Sequence, residues 1–356
     1  MTTWAKELDG LTKETLDQKT YDFLSCGAGN EWGIANNRKA LDAYSFIPRV
    51  LRNVETIDSS INLFGKSYPF PMLIAPTAPH NLFHHQGEIQ TAIGAQSSKT
   101  PMIVSCMASQ LFEDIAKESQ DLWLQLNLFK DKGLMQHLVQ KAESLDFKAL
   151  VLTVDMPILG NRPKNKKNHF TIPEISLPIN LLNDHHNIPQ KAHSQEYLSD
   201  QLLDPSACWD IIETIHKWSN LPILLKGILH PEDAKIAIQK PISGVIVSNH
   251  GARQLNDTIA PIDALSSIAK IIDKKMLLLM DGGIRSGADI LKAQILGADA
   301  VLIGRPILWG LACFADKGVS YVLSQLQKEL HETMALCGLP CQQALQEITM
   351  PMLHHQ

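Results

Sequence analysis

Eight short apolar runs, spaced along the middle of the chain, constrain the fold more than any other feature. The runs are Met72–Ala75, Met102–Ser105, Leu122–Leu126, Ala149–Val154, Pro222–Lys226, Gly244–Ser248, Met276–Met280 and Ala300–Ile303. Each run is apolar almost throughout, as expected for a strand that is buried on both faces of a parallel sheet. Segments with helix signals separate the runs, so the pattern predicts an α/β fold with a parallel sheet.

The helix signals lie where a barrel would place its outer helices. Pro231 and two acids open a helix after the fifth run, Pro261 opens one before the seventh, and Ser286 with Asp289 forms a capping pair after the seventh. The alternative is a doubly wound open sheet, but its fingerprint G-x-G-x-x-G after the first strand is absent. The count of eight runs therefore favours a single (β/α)8 TIM barrel.

Three segments lie outside this repeat. Residues 1–70 form an N-terminal extension that is predicted to be helical at first and then broken by proline, and residues 346–356 form a tail after a barrel domain over 71–345. Residues 160–207, after the fourth run, are polar and contain five prolines. A long loop at this position is typical of a mobile lid or a partner-contact segment, and a disordered insert is the alternative. Apolar spacing over Val319–Met334 predicts a late helix.

Composition and targeting signals exclude several classes of protein. The chain has 356 residues, is 45% hydrophobic and carries a net charge of −5, which argues against a disordered chain and a general nucleic-acid binder. Six cysteines without a C-x-x-C pair are too sparse for a disulfide scaffold, and no apolar run approaches the ~18 residues of a membrane helix. The start, MTTWAKELDG, is too polar for a signal peptide. We therefore expect a cytoplasmic protein without a membrane partner or a metal site.

Polar residues follow almost every predicted strand, and the carboxyl ends of barrel strands are where such folds carry their chemistry. After the seventh run, Gly282 and Gly283 would let backbone N–H groups approach a ligand, and Arg285 and Arg305 would supply positive charge. The loops after strands seven and eight are the usual phosphate site of these barrels. We expect a phosphate site here; the alternative is turn glycines and arginines paired with surface acids.

A second group of strand-end residues predicts acid–base chemistry. His250 can take a proton near neutral pH, and Arg253, three residues later, can bind a carboxylate with both arms of its guanidinium. Asp155 could orient the imidazole, although a helix cap is the alternative. Lys226 could stabilise an anion that develops on a bound cofactor; its alternative is a phosphate contact or a salt bridge.

These residues belong to segments that resemble a known family. The segment Ser248–Leu255, SNHGARQL, is similar to the signature of the FMN-dependent 2-hydroxy-acid oxidase/dehydrogenase family, which includes glycolate and lactate oxidases. The other matching segments follow in family order and are Tyr21–Phe23, Asn37–Arg38, Ile74–Ala78, Gly87–Glu88, Leu152–Asp155, Leu221–Gly227, Asp281–Arg285 and Ile303–Pro306. Within the family, the segments look like those of glycolate oxidases.

The resemblance implies a barrel that holds FMN at its mouth and a homotetramer or larger assembly. By position, the family pattern assigns cofactor binding to Pro76, Thr77, Ala78, Ser105, Gln125, Thr153, Lys226, Ser248, Asp281, Gly282, Gly283, Arg285, Gly304 and Arg305. It makes His250 the catalytic base, Asp155 its partner, and Lys226 the residue that stabilises the reduced flavin. It assigns the substrate carboxylate to Arg253 and Arg162.

Three substrate-pocket positions depart from the family pattern. Phe23 and Asn127 stand where the family normally has tyrosines, and Met107 stands where it commonly has an aromatic residue. One lost hydrogen bond to a charged group costs on the order of 1.5–3 kcal/mol. Two such losses would weaken the handling of a small 2-hydroxy acid by roughly a hundredfold or more. Asn127 can replace part of the lost donation, because an amide donates, whereas Phe23 cannot.

The implied activity is the oxidation of an (S)-2-hydroxy acid to a 2-oxo acid, with O2 (giving H2O2) or another acceptor reoxidising the FMN. His250 would remove the hydroxyl proton, or the α-proton in a carbanion mechanism. Phe23 and Asn127 leave open a diverged member that acts on a bulkier or less polar substrate. A non-catalytic flavin-binding scaffold is a further alternative, and the charged barrel mouth argues against it.

Overall fold

The computed structural model describes residues 2–182, 194–341, 343–346 and 352–355. Within these residues the strands are β1 (Tyr44–Phe46), β2 (Ile61–Leu63), β3 (Lys66–Tyr68), β4 (Met72–Ile74), β5 (Met102–Ser105), β6 (Leu122–Asn127), β7 (Leu150–Thr153), β8 (Ile223–Ile228), β9 (Gly244–Val247), β10 (Leu277–Met280), β11 (Ala300–Ile303) and β12 (Leu353–His355).

The helices of the same residues include six that precede the fourth barrel strand and nine that follow it. They are α1 (Thr3–Thr15), α2 (Gln18–Ser25), α3 (Trp32–Asp42), α4 (Gly87–Ser97), α5 (Phe112–Glu118), α6 (Lys132–Ser144), α7 (Pro163–Lys167), α8 (Ile179–Leu182), α9 (Gln195–Leu202), α10 (Ile211–His216), α11 (Pro231–Ala237), α12 (Pro261–Ile272), α13 (Gly287–Ile295), α14 (Arg305–Leu336) and α15 (Gln343–Gln346). None of them is long and apolar enough to cross a membrane.

The strands β4 to β11 form a closed parallel barrel, which confirms the predicted fold and excludes the open sheet. The barrel closes where β11 pairs with β4, with Val301 opposite Met72 and Ile303 opposite Ile74. Each strand agrees with its apolar run to within two residues, because burial on both faces leaves a continuous apolar signal. Lys226, predicted at a strand end, instead lies inside β8, at an irregularity in its pairing with β9.

A short hairpin closes the amino end of the barrel. Ile61, Leu63 and Tyr68 of β2 and β3 pack with the side chains that fill the barrel interior. The Tyr68 hydroxyl donates to Asp121 Oδ1 at 3.0 Å, just before β6. The hairpin belongs to the N-terminal extension and was not predicted. Its effect is that the barrel is filled from below and offers its cleft at the carboxyl ends of the strands.

The additions to the barrel are more ordered than predicted. The extension begins with α1 to α3 as expected, and β1 pairs with β12, so that Tyr44 lies opposite His355 of the predicted tail. Residues 160–207 are not a structureless loop where they are described, because α7, α8 and α9 lie in them and Ile172 and Leu181 are buried. Residues 183–193 of this segment, and 347–351 and 356 of the tail, lie outside the described residues.

The last long helix, α14, is interrupted at Phe314 and Ala315, whose backbone angles are not helical. The predicted helix Val319–Met334 is its second half. At the interruption the two halves come together through Gly310 and Gly318. A Cβ atom on Gly318 would lie 1.9 Å from the Gly310 carbonyl oxygen, a distance that no packed structure accepts.

We expect Gly318→Ala to lower the free energy of unfolding by at least about 1–3 kcal/mol, because the added methyl overpacks a backbone contact. Gly10→Ala, in the exposed face of α1 where a Cβ meets nothing within 4 Å, is the matched control. It should raise the free energy of unfolding by about 0.5–1 kcal/mol, because alanine favours the helix. Urea denaturation measures both, and a neutral Gly318→Ala would contradict the packing described here.

Candidate active site

A large cleft opens at the carboxyl ends of the barrel strands. It encloses about 1580 Å³ of space between atoms, its open mouth included. The structure brings together almost all predicted site residues on its wall, namely Phe23, Pro76, Thr77, Ala78, Ser105, Met107, Gln125, Asn127, Thr153, Arg162, Lys226, His250, Arg253, Asp281, Gly282, Gly283, Arg285, Gly304 and Arg305. Two predicted site residues, Asp155 and Ser248, lie behind this wall.

Ser248 is fully buried next to the cleft, and its assignment to cofactor contact stays a prediction. Its hydroxyl oxygen accepts a hydrogen bond from Lys226 Nζ at 3.0 Å and another from the backbone N–H of His250 at 3.0 Å. Ser248 therefore fixes the positions of two neighbouring site residues.

His250 and Asp155 form a hydrogen-bonded pair. The distance from His250 Nδ1 to Asp155 Oδ1 is 2.9 Å, and the helix-cap alternative for Asp155 is wrong. Burial works against the charged carboxylate, but His250 and Lys226 together hold the pKa of Asp155 below its usual value. An ionised Asp155 can accept but not donate, so the Nδ1 proton stays on His250. The other ring nitrogen, Nε2, then carries the lone pair of a base.

A left-handed turn presents His250 to the cleft. His250, Gly251 and Ala252 have φ angles of 57°, 61° and 61°. Left-handed residues other than glycine are strained by on the order of 1–3 kcal/mol each, so the surroundings must hold the turn. Asn249 Oδ1 accepts from the Ala252 N–H at 3.1 Å, and Asn249 Nδ2 donates to Asn37 Oδ1 of α3 at 2.8 Å. Asn37 Nδ2 returns the bond to Asn249 Oδ1 at 3.0 Å.

Lys226 is a buried cation with a buried partner. Its Nζ lies 3.0 Å from Asp281 Oδ2, which confirms the salt-bridge alternative without removing Lys226 from the cleft wall. Burial works to lower the pKa of Lys226, but Asp281 and Asp155 outweigh it and raise the pKa above its usual value. Lys226 is therefore a permanent positive charge under the cleft.

Of the two arginines of the predicted phosphate site, Arg285 is buried and Arg305 is half-buried, and neither forms an ion pair with an acid among the described residues. Burial, with repulsion from Arg38, lowers the pKa of Arg285 to about 10. Burial, with repulsion from Arg253 and Arg285, lowers the pKa of Arg305 to about 9. Arg305 hydrogen-bonds only to backbone carbonyls among the described residues. Pairing with surface acids is thus wrong, and the pair presents uncompensated charge to the cleft.

Charge and shape of the cleft fit the FMN that the resemblance implies. Its wall carries five cations and one carboxylate, with a second carboxylate behind it, and the residues are Arg162, Lys226, Arg253, Arg285, Arg305, Asp281 and Asp155. With His250 neutral, three positive charges are left over. A phosphate monoester carries about −1.5 to −2 and a substrate carboxylate −1, so the two ligands together balance this excess.

Two further features fit a bound cofactor. Gly304 faces the cleft, and a Cβ atom there would lie within 3.8–3.9 Å of Ala75 and Thr77, so its absence leaves room for a ligand. Asp281 Oδ1 is buried and has no hydrogen-bond partner among the described residues. Such an atom costs free energy unless a ligand supplies a donor.

A row of polar side chains crosses the ends of β5, β6 and β7. Ser105 Oγ donates to Gln125 Oε1 at 2.8 Å. Gln125 Nε2 donates to Thr153 Oγ1 and to Asn127 Oδ1, both at 2.9 Å. The Asn127 oxygen is thereby used, and its Nδ2 has no partner among the described residues and remains a donor toward the cleft.

The two arginines assigned to the substrate carboxylate are held in place from behind. Arg253 Nη1 donates to the backbone carbonyls of Phe23 and Cys26, each at 2.9 Å, and its guanidinium lies 5.2 Å from the Phe23 ring centre. Arg162 Nε donates to the Arg253 carbonyl at 3.2 Å. Arg253 Nη2 makes no hydrogen bond to the described residues and is available to a ligand.

Sequence reasoning assigned no role to three residues that support the site. Asn37 and Asn249 hold the His250 turn, and Gln254 accepts from Arg162 Nη2 at 3.3 Å. All three lie in segments that matched the family, so the signal was present. Their function depends on contacts between residues 92 to 212 positions apart, which no local pattern reveals.

Comparison with known proteins adds independent findings. A model of the family described as FMN-dependent dehydrogenase matches residues 12–353. The chain is 42% identical to an L-lactate oxidase of Nostoc sp. over 98% of this chain and 97% of that protein. It is 38% identical to the 2-hydroxyacid oxidase 1 of Mus musculus over 92% and 90% of the two chains. A solved mandelate oxidase with (S)-4-hydroxymandelic acid is similar with a TM-score of 0.92 and 34% identity, covering 98% of each chain.

Replacing Arg285 by methionine should separate ligand binding from folding. We expect Arg285→Met to weaken FMN binding about 10- to 100-fold, the effect of losing one hydrogen bond to a charged group. The thermal midpoint of the FMN-free protein should not fall, because the change removes a buried cation that forms no ion pair with an acid of the described residues. Fluorescence titration and thermal denaturation measure the two effects. The exposed Lys328→Met on α14 is the control, and an unchanged FMN affinity of Arg285→Met would contradict the phosphate site.

Proposed function

Because this chain belongs to the FMN-dependent dehydrogenase family, we propose that His250 is the base of its reaction and that the cleft selects a bulky or weakly polar substrate. The protein is an FMN-dependent oxidase of (S)-2-hydroxy acids, and FMN is its cofactor. One observation carries the assignment of the base. His250 Nδ1 is tied to Asp155 at 2.9 Å, which leaves Nε2 unprotonated on the wall of the cleft.

The surrounding residues supply the parts that this oxidation needs. Converting the 2-hydroxy acid to a 2-oxo acid removes the hydroxyl proton and a hydride equivalent from the α-carbon, that is two electrons and one proton; bound FMN would accept that hydride equivalent. His250 Nε2 takes the hydroxyl proton, and Asp155 stabilises the resulting imidazolium. Arg253 Nη2 and Arg162 hold the substrate carboxylate. Asn127 Nδ2 donates in place of the usual tyrosine.

Dioxygen is the proposed final electron acceptor, with H2O2 as the product. The relatives reported above carry the name oxidase, which supports this assignment. Oxygen uptake during turnover tests it, and a requirement for another acceptor would overturn it.

The substrate is proposed to be bulkier or less polar than glycolate. Phe23 lines the cleft with no hydroxyl, and it stacks on Phe170 with a centroid distance of 4.6 Å and an angle of 15° between the rings. An aromatic wall favours apolar groups and gives no hydrogen bond to a carboxylate. A panel of 2-hydroxy acids, followed by anaerobic bleaching of the flavin absorbance, tests this.

A homotetramer or larger assembly in the cytoplasm is also proposed. Val50, Leu51 and Leu336 are between 78% and 102% exposed, and the backbone bond from Arg49 to Cys337 places them side by side. An exposed apolar patch of this kind supports self-association.

All six cysteines are free thiols, which supports a reducing compartment. Sedimentation analysis and cell fractionation test the two proposals.

The pH dependence should report the neutral imidazole. Burial lowers the pKa of His250 from its usual 6.5, so the basic form persists below that pH and is lost only as the pH falls through the lowered value.

His250→Gln should reduce kcat about 10²- to 10⁴-fold while flavin binding is retained. In Asp155→Asn the acid limb of kcat/KM should move to lower pH, since the carboxylate that favours the imidazolium is gone. An acid limb at or above pH 6.5 in the unaltered enzyme would contradict this mechanism.

Restoring the family hydroxyl should restore the handling of small substrates. We expect Phe23→Tyr to raise kcat/KM for glycolate about tenfold, the effect of one hydrogen bond to a carboxylate. Phe170→Tyr, which alters the stacking partner, is the matched control and should have little effect. If both variants change glycolate turnover equally, the missing hydroxyl of residue 23 does not limit the reaction.

A further inference from the structure

Ser176 is a cleft residue that the reaction described above does not use. It ends a single helical turn over Glu174–Ser176, is 1% exposed and lies on the wall of the cleft. Its Oγ has no hydrogen-bond partner among the described residues. An unsatisfied buried hydroxyl costs about 1–3 kcal/mol, so its presence on a ligand-facing wall calls for a ligand group that satisfies it.

Ser176 directly precedes Leu177, which belongs to an apolar cluster. Ile172 is buried and packs with Met107, Phe170, Leu177 and Leu202 in one hydrophobic cluster. We call the part of the cleft wall formed by Met107, Ile172, Ser176, Pro178 and Leu202 the side-chain compartment. It contains no charged group, so an ionised ligand group would be unfavourable there.

The turn that carries Ser176 is anchored to the barrel. Asn81 Nδ2 donates to the Ile175 carbonyl at 2.9 Å, and Asn180, four residues after Ser176, accepts from the Phe112 N–H at 3.0 Å. The chain on either side of Ser176 is therefore anchored. A buried hydroxyl in an apolar wall selects for a polar atom at one position of the ligand.

We propose that the side-chain compartment binds the substituent of the 2-hydroxy acid and that Ser176 Oγ hydrogen-bonds a neutral hydroxyl at its tip. The inference rests on the proposed function, which places the carboxylate at Arg162 and Arg253 and so directs the substituent away from them. A hydroxylated aromatic ring fits best, because it joins a rigid apolar body to one polar tip. The substrate class is thus 2-hydroxy acids with a phenol-like substituent.

Binding of compounds that cannot be oxidised tests the compartment alone. We expect the FMN-loaded enzyme to bind 4-hydroxyphenylacetate about tenfold more tightly than phenylacetate, measured by calorimetry and by perturbation of the flavin spectrum. In Ser176→Ala the preference should disappear through weaker binding of the hydroxylated compound, with phenylacetate unchanged. Ser199→Ala, at another hydroxyl on the same wall, is the control and should keep the preference.

Turnover separates this inference from the function on which it rests. (S)-4-Hydroxymandelate should exceed (S)-mandelate in kcat/KM by a similar factor, and Ser176→Ala should remove the difference. Equal binding of both acetates by the unaltered enzyme, or equal weakening of both by Ser176→Ala, would overturn the role of Ser176. If the binding preference is found but neither mandelate bleaches the flavin, the compartment stands and the proposed substrate class fails.

Discussion

The cleft at the carboxyl end of the barrel carries more positive than negative charge. Both the stability of the fold and the binding of ligands depend on this imbalance. Arg285 and Arg305 lie in surroundings that lower the pKa of each guanidinium. The energy of keeping them there is offset by the packed barrel and helices around them. The same charges make the cleft selective for anions. Stability and ligand binding are therefore coupled, since anionic ligands relieve a repulsion that the folded chain carries alone.

The N-terminal extension takes part in this arrangement. Asn37 of α3 exchanges two hydrogen bonds with Asn249 and so holds the left-handed turn of His250. One residue later, Arg38 donates to the Gly283 carbonyl at 2.6 Å and pairs with Asp289 at 2.7 Å. A single short helix thus supports both the base and the glycine loop of the phosphate site. Substitutions in α3 would therefore disturb the cleft, although α3 and the cleft residues that it supports lie far apart in the sequence.

The barrel and most of the cleft could be predicted from the sequence, and the reasons are physical. Parallel strands buried on both faces leave continuous apolar runs, and the polar residue that ends such a run must face the same mouth. The sequence does not reveal the hydrogen bond that Lys226 Nζ donates to Ser248 Oγ, because the two residues lie at the ends of different runs. The β2–β3 hairpin is too short for a clear alternation, and the helices after β7 owe their form to packing on the barrel, which overrides weak local preference. The sequence does not single out Ser176, because only the folded structure shows that its hydroxyl has no hydrogen-bond partner among the described residues.

The hairpin at the amino end also determines how molecules must pass through the enzyme. Because Ile61, Leu63 and Tyr68 fill the amino end of the barrel, substrate and product pass through the mouth at the opposite end. The acid enters there, its ketone leaves there, and the molecule that takes up the electrons arrives by the same route. Because both half-reactions share one entrance, the arrangement favours an electron acceptor that is small enough to enter while the product is still leaving. The six strand residues of the β2–β3 hairpin thereby leave both half-reactions a single shared entrance.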